Sequence, residues 1–464
     1  MTFQLSKPHL ERIQEHIAEQ RDTALLQEMV ELHPADIAEV LDQLEADDAR
    51  YVFERLEPEL AAEVILEVPE DRRDILLENY TGKEIAEELI EHIDSDDAAD
   101  VIGELPDEMQ EEVLANIEDR EQKDEITELL TYDENTAGGI MAKELVKVNL
   151  HSTMLECVRQ LRKHSDDIDN VYVVHVVDDH EKLVGTIALK QLLVTSLRTP
   201  VREVYEPDPI SVKADTDAEE AARIMEKYDL IVLPVVDVHG RLVGRITIDD
   251  VVDTIREEET EDAQKMAGME ALEYSYSNSS LWEMVKARMG WLIVLFIGES
   301  FTATAMGFFE DQIAKAVVLA LFVPLIISSG GNTGSQASTL IIRALALSDV
   351  TVKEWWRIFK RELSVGLIMG IGLGIIGFAR VAIWSRFVDI YGPHWMGIGL
   401  AVGVSLVGVV VWGNLIGSLF PLLLKRLGLD PAVSSAPFVA TVVDVTGLVI
   451  YFSIASFFLA DLLQ

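Results

Sequence analysis

The sequence predicts a multidomain protein. An all-α superhelical N-domain spans residues 1–130, an α/β domain of two tandem motifs 131–258, a connecting helix 259–288, and an all-α transmembrane domain of five helices 289–464. Three observations predict it. Short amphipathic segments headed by Pro or Asp recur through the first part, a 23-residue stretch returns at a constant offset of 59, and five long apolar runs fill the last part.

The first part reads PADIAEVLDQL from Pro34, DDARYVFERL from Asp47, PELAAEVILEV from Pro58 and PEDRRDILLEN from Pro69. It continues with KEIAEELIEHI from Lys83, SDDAADVIGEL from Ser95 and PDEMQEEVLANI from Pro106. Pro and Asp suit a first helical turn or an N-cap, and apolar residues follow at i, i+3, i+4 and i+7. Short helices of this kind stack into a solenoid-like superhelix, each burying its apolar face on the next.

Charge divides the chain. Of 81 acids and 38 Lys plus Arg, ten and twelve fall in residues 286–464, leaving 71 against 26 before that point, a formal charge of −45. Phosphate binding needs clustered cations, so such a surface excludes nucleic acid as a partner. Self-repulsion opposes compact packing of this half, and bound divalent cations would relieve it. The single Cys157 rules out a disulfide framework. The acidic start, Met1–Glu19, lacks a signal-peptide pattern, so the N-terminal half is expected in the cytoplasm.

In the second part, VYVVHVVDDHEKLVGTIALKQLL (Val171–Leu193) aligns with LIVLPVVDVHGRLVGRITIDDVV (Leu230–Val252). Each copy is strand, turn, strand, helix, and helices Thr153–Lys163 and Asp217–Glu226 precede them. The pattern resembles the paired cystathionine-β-synthase (CBS) motifs of ligand-sensing modules. Gly244, Thr247 and Asp250 match that family's Gly-x-x-Thr-x-x-Asp segment, whose hydroxyl and carboxylate contact a nucleotide; the first copy has Ala188 and Gln191 instead. The resemblance thus extends nucleotide binding, with ATP the candidate ligand, to one half only.

Residues Asp253–Arg288 read as helical and carry the acid run Glu257, Glu258, Glu259, Glu261 and Asp262. Apolar spans follow at about 289–309, 313–342, 363–385, 396–423 and 436–460, each near or above the ~20 residues a bilayer crossing requires. An odd number places the C-terminus, Asp461–Gln464, outside, and Arg343, Lys353, Arg357, Lys360, Arg361, Lys425 and Arg426 fall in loops on the cytoplasmic side. The second span contains Pro324 and the stretch SSGGNTGSQAST (Ser328–Thr339), which reads as a break lining an aqueous path.

Asp444 sits within the last span, whose own run holds no Lys or Arg. A carboxylate at membrane depth costs at least about 2.5 kcal/mol, so it faces protein or water. One reading is a structural Asp bonded to another helix. The other is a cation site: Asp444 from each subunit of a dimer, ringed by carbonyls and by Asn332, suits a largely hydrated Mg2+. Glu299 of the first span either belongs to the same path or is paired structurally.

Taken together, the linker YDENTAGGIM (Tyr132–Met141), the CBS pair, PLIISSGGNTGSQASTLIIRALA (Pro324–Ala346) and PFVATVVDVTGL (Pro437–Leu448) resemble the MgtE family of bacterial magnesium channels over essentially the whole chain. The resemblance implies a homodimer in the bacterial inner membrane, with a Mg2+-selective pore between subunits that closes when cytosolic Mg2+ is high. Asp444, Ala440 and Asn332 match pore positions. Asp96, Asp100, Asp250, Asp253, Glu258, Glu261 and Asp262 match acids that bind cytosolic Mg2+. An alternative of another class is a membrane-anchored sensor of nucleotide or metal that moves no ion. An enzyme has little support: no Walker-type loop, HExxH, Cys–His cluster or Ser–His–Asp order is present in the sequence. Oxygen ligands alone do not separate Mg2+ from Co2+, Ni2+, Zn2+ or Mn2+.

Overall fold

In the computed structural model, residues 5–164, 171–272, 276, 279–347, 349–388 and 390–459 are described. The expectation for Asp461–Gln464 lies outside them. Contacts divide the chain into two compact units, Met1–Glu258 and Glu259–Gln464.

The first unit begins with short helices whose limits follow the Pro and Asp signals. They include Pro34–Gln43, Ala46–Phe53, Pro58–Glu67, Glu70–Leu77, Gly82–Glu88, Ser95–Gly103 and Asp107–Asn116. Pro34 and Pro58 occupy the first turn, where a missing N–H costs nothing, and Thr81 with Glu84 closes a capping box. Each helix turns an apolar stripe inward, as Ile37, Ala38, Val40 and Leu41 do in the first of these. Stacking the stripes builds one continuous core.

Among the described residues, the α/β part holds two sheets. The first runs β1 (Lys147–Asn149), β2 (Val173–Val177), β3 (Leu183–Ala188) and β4 (Glu206–Pro207). The second runs β5 (Val212–Lys213), β6 (Val232–Val236) and β7 (Leu242–Thr247). In both, the short leading strand pairs in parallel and the repeated strands form an antiparallel hairpin with a register shift at the same place. The two copies are therefore structural as well as sequence repeats. They differ in packing: the first has its own core around Met154, Cys157 and Ile187, whereas Val235, Ile246 and Val251 of the second join the core of the stacked helices. The linker makes that union, since Ala137 and Gly138 donate to the carbonyls of Thr216 and Ala214, and Ala142 exchanges hydrogen bonds with Arg245.

The helix after β7 runs unbroken from Ile248 to Met266. Helix then stops, Gly268 takes φ +78°, and a new helix starts at Leu281, capped by Ser280 and Glu283. The helical reading of Asp253–Arg288 thus divides into the end of one helix and the start of another.

Among the described residues, five helical segments are long and apolar enough to cross a membrane: Leu281–Phe308, Val317–Ala346, Val352–Trp384, Gly392–Arg426 and Ala436–Phe458. The second, fourth and fifth spans pack on one another around Leu319, Phe322, Val409, Val443 and Tyr451.

The expected break at Ser328–Thr339 is absent. That stretch lies inside the continuous α-helix Val323–Ala346, and the irregular backbone comes earlier, as a 3-10 turn over Val317–Phe322. The hydroxyls explain why polar residues do not interrupt the helix: Ser329 and Thr333 donate to the carbonyls one turn back, Leu325 and Ser329, each at 2.7 Å. The glycines admit a neighbour. A Cβ on Gly413 of the fourth span would lie 2.4 Å from the Gly330 carbonyl oxygen, and one on Gly417 2.0 Å from that of Gly334.

Candidate functional site

Two groups of polar residues stand out, one in each unit. In the membrane unit, the second and fifth spans meet at Gly331, whose missing Cβ would lie 3.4 Å from Ala440 Cβ and 3.5 Å from Asp444 Oδ1. Asp444 is eight residues into its helix, about 12 Å along the axis at 1.5 Å per residue. Its side chain is half-buried, and among the described residues no group donates a hydrogen bond to it and no cation pairs with it. Asn332, next to Gly331, is exposed, and among the described residues its amide reaches only Ser328 Oγ, at 3.4 Å. Ser328, Asn332, Gln336, Thr339 and Arg343 all lie on one exposed face of the second span, as their spacing of three and four residues requires. Glu299 is exposed on the first span and is a charged group that acts electrostatically on Asp444. Ala440 and Asp444 therefore meet the second span at one seam, and Asn332 stands on the exposed face one residue beyond it.

In the first unit, Ser95–Gly103 carries Asp96, Asp97 and Asp100, and the helix after β7 brings Asp250 close enough to act on all three. Asp96 is 7% exposed, and its Oδ1 has no hydrogen-bond partner among the described residues. One oxygen each from Asp94, Asp96 and Glu144 lie within 4.8 Å of one another. Glu144 is held by Ser95, whose N–H and Oγ donate to it at 3.0 and 2.8 Å. Asp94 lies 3.9 Å from the guanidinium of Arg245, itself buried.

Burial and the surrounding carboxylates push Asp96 well above the usual range, and push Asp97 up to about 7. Asp250 is raised to about 6 by burial, less than it would be without the Thr247 hydroxyl and N–H, which donate to its Oδ2 at 2.6 and 3.0 Å. Thr247 and Asp250, the pair matched to nucleotide binding, thus bond each other at the start of a helix. Such a crowded set of carboxylate oxygens fits a hard divalent cation, which takes carboxylate ligands and leaves them ionised.

The other expected acids are arranged differently. Asp100 is exposed. Asp253 is exposed and pairs with Arg256 at 3.3 Å. Glu258 and Asp262 are half-buried, and Glu261 pairs with Lys265 at 2.5 Å. Sequence reasoning missed Asp94, Asp97 and Glu144. Asp97 sits within the quoted SDDAAD and Asp94 just before it, but Glu144 is 49 residues from Ser95 and carries no local signal.

The fold and these sites define a membrane protein with a five-helix transmembrane domain and a large acidic part that carries paired CBS motifs. The chain belongs to the MgtE family. Residues 323–454 match its divalent cation transporter domain, 32–135 the MgtE intracellular N domain, and 137–197 and 201–257 the CBS domain. The magnesium transporter MgtE of Thermus thermophilus is 38% identical over 96% of this chain and 97% of its own. That of Enterococcus faecalis is 34% identical over 71% of each. The crystal structure of the cytosolic domain of the Mg2+ channel MgtE in complex with ATP is 34% identical and covers 53% of this chain and 99% of its own, with a TM-score of 0.49.

Proposed function

We propose that this protein is a Mg2+-selective channel or transporter that imports Mg2+ across the bacterial plasma membrane. Cytosolic Mg2+ shuts it by binding the acids of the N-domain, the CBS pair and the connecting helix. The single observation that carries the transport reading is the carboxylate of Asp444, at membrane depth without a hydrogen-bond donor or cation among the described residues. A structural Asp would have a partner. Its chemistry instead suits a cation that arrives with most of its water, the way Mg2+ is usually held. In this reading Asp444, Ala440 and Asn332 line the path, a homodimer closes the polar face of the second span, and the N-terminal domains are cytoplasmic with the C-terminus outside. The limits 1–130, 131–258, 259–288 and 289–464 are its functional divisions.

Feedback follows from charge. The −45 half repels itself, and divalent ions bridging Asp96, Asp250 and their neighbours compact it. Asp100, Asp253, Glu258, Glu261 and Asp262 extend the sensing set, and Thr247 with Asp250 is the place for a nucleotide such as ATP. The experiment is Mg2+ entry into proteoliposomes with Asp444→Asn beside the parent. Loss of at least about tenfold in flux, or 1.4 kcal/mol, supports the path. Undiminished flux moves it elsewhere, and no flux from the folded parent favours a membrane-anchored sensor.

A further inference from the structure

Within the second unit, one basic side chain joins segments that the transport reading leaves separate. Lys265 lies in the last turn of the Ile248–Met266 helix, and its ammonium is 2.5 Å from Glu261 Oε1 and 2.8 Å from Asp430 Oδ2. Glu261 is one turn back on the same helix, but Asp430 belongs to the loop between the fourth and fifth spans. Asp430 uses its other oxygen to accept from Ala432 N at 2.8 Å, so its carboxylate both caps the Pro431–Val433 turn and holds the ammonium. Partial burial works against the charge on Lys265, but the hydrogen bonds to Asp430 and Glu261 outweigh it and raise the pKa.

That turn leads directly into the fifth span through two buried serines. Ser338 of the second span donates to the carbonyl of Ser434 at 2.8 Å. Trp291 of the first span donates to Ser435 Oγ at 3.1 Å, and Ser435 caps the helix that carries Asp444. The chain just after Lys265 returns to the same place: a Cβ on Gly268 would lie 2.7 Å from the Trp291 ring and 3.2 Å from Pro437. The end of the long acidic helix is therefore packed beside the start of the fifth span, and Lys265 is the charged tie between them.

We propose that Lys265 is a positioning residue, whose ammonium, shared by Glu261 and Asp430, transmits displacement of the acidic helix to the fifth span. The consequence for conduction rests on the transport reading above; the mechanical tie does not. A lysine does this work without any bound metal, because two carboxylates against one ammonium leave a strong charge-assisted contact on each side. It also means that Glu261 can ligate a metal ion only by giving up Lys265.

The test is amide hydrogen exchange on the full chain in lipid nanodiscs, with Lys265→Met, Asp430→Asn and the double variant. Asn keeps an acceptor for Ala432 N. Each single change should raise exchange in both 262–268 and 429–436 by about three- to tenfold, the double no further than the larger single, and Lys265→Arg should restore the parental rate. Parental exchange at 429–436 in Lys265→Met, or additive effects in the double variant, overturns the tie. Mg2+ entry at a closing Mg2+ concentration should rise in the same variants. A parent that Mg2+ does not close refutes the feedback reading instead, and exchange still decides the tie.

Discussion

At the scale of single residues, Asp444 and Glu299, acids of the fifth and first spans, divide by environment. Asp444 stands at a helix seam beside Gly331, while Glu299 stands on an exposed face of the first span. If Glu299 contributes field to the path rather than a ligand, Glu299→Gln should lower Mg2+ flux two- to fivefold at low ionic strength and less at high, because exposed charge is screened. Equal loss at both would make it a direct ligand. Asp444 was legible from the sequence, since an acid inside a long apolar run stands out by its cost. The cluster around Asp96 was only half legible. Acids fill the N-terminal half, so composition cannot say which are buried, and Glu144 reaches Ser95 across 49 residues of chain.

At the scale of elements, the second span shows where local patterning misled and why. Gly, Ser and Thr lower helix propensity in water. In this bundle the hydroxyls bond back to their own helix and the glycines let a neighbouring backbone approach, so the span stays helical. The claim has a direct test. Gly417→Ala places a methyl where the Gly334 carbonyl oxygen already is, and should destabilise the membrane domain by roughly 1–3 kcal/mol. Gly372→Ala, with nothing among the described residues within 4 Å of its Cβ position, should cost nothing measurable. Thermal unfolding in detergent separates them, and equal midpoints would contradict close packing as the role of Gly417. The short helices and both strand repeats were far easier to read. Their heads are Pro, Thr and Asp, whose capping roles are local, and the offset of 59 residues marks the duplicated hairpin.

At the scale of the whole molecule, the raised carboxylates of the first unit set a pH dependence. Asp96 is well above its ordinary value, Asp97 about 7 and Asp250 about 6, so the folded state favours their neutral forms. The stabilisation this gives is complete below about pH 4 and is lost as pH rises through about 6 to 7. Without divalent ions the full chain should therefore melt at a lower temperature at pH 8 than at pH 5.5. Added Mg2+ should raise the midpoint more at pH 8, by a few degrees at least, since 1 kcal/mol moves a domain of this size by about 2–4 °C. Asp97→Asn should stabilise the metal-free chain by about 1 kcal/mol and shrink the Mg2+ effect; a larger Mg2+ effect at pH 5.5 would contradict the role given to these acids. The same reversal of repulsion is what closes the path in this account. It is tested most directly by Mg2+ entry into proteoliposomes as Mg2+ on the cytoplasmic face is raised, for the parent and for Asp250→Asn. The account predicts that parental entry falls as that concentration reaches the millimolar range, and that the variant needs several-fold more Mg2+ to fall as far. Entry that ignores cytoplasmic Mg2+, or a variant that closes at the parental concentration, would contradict it.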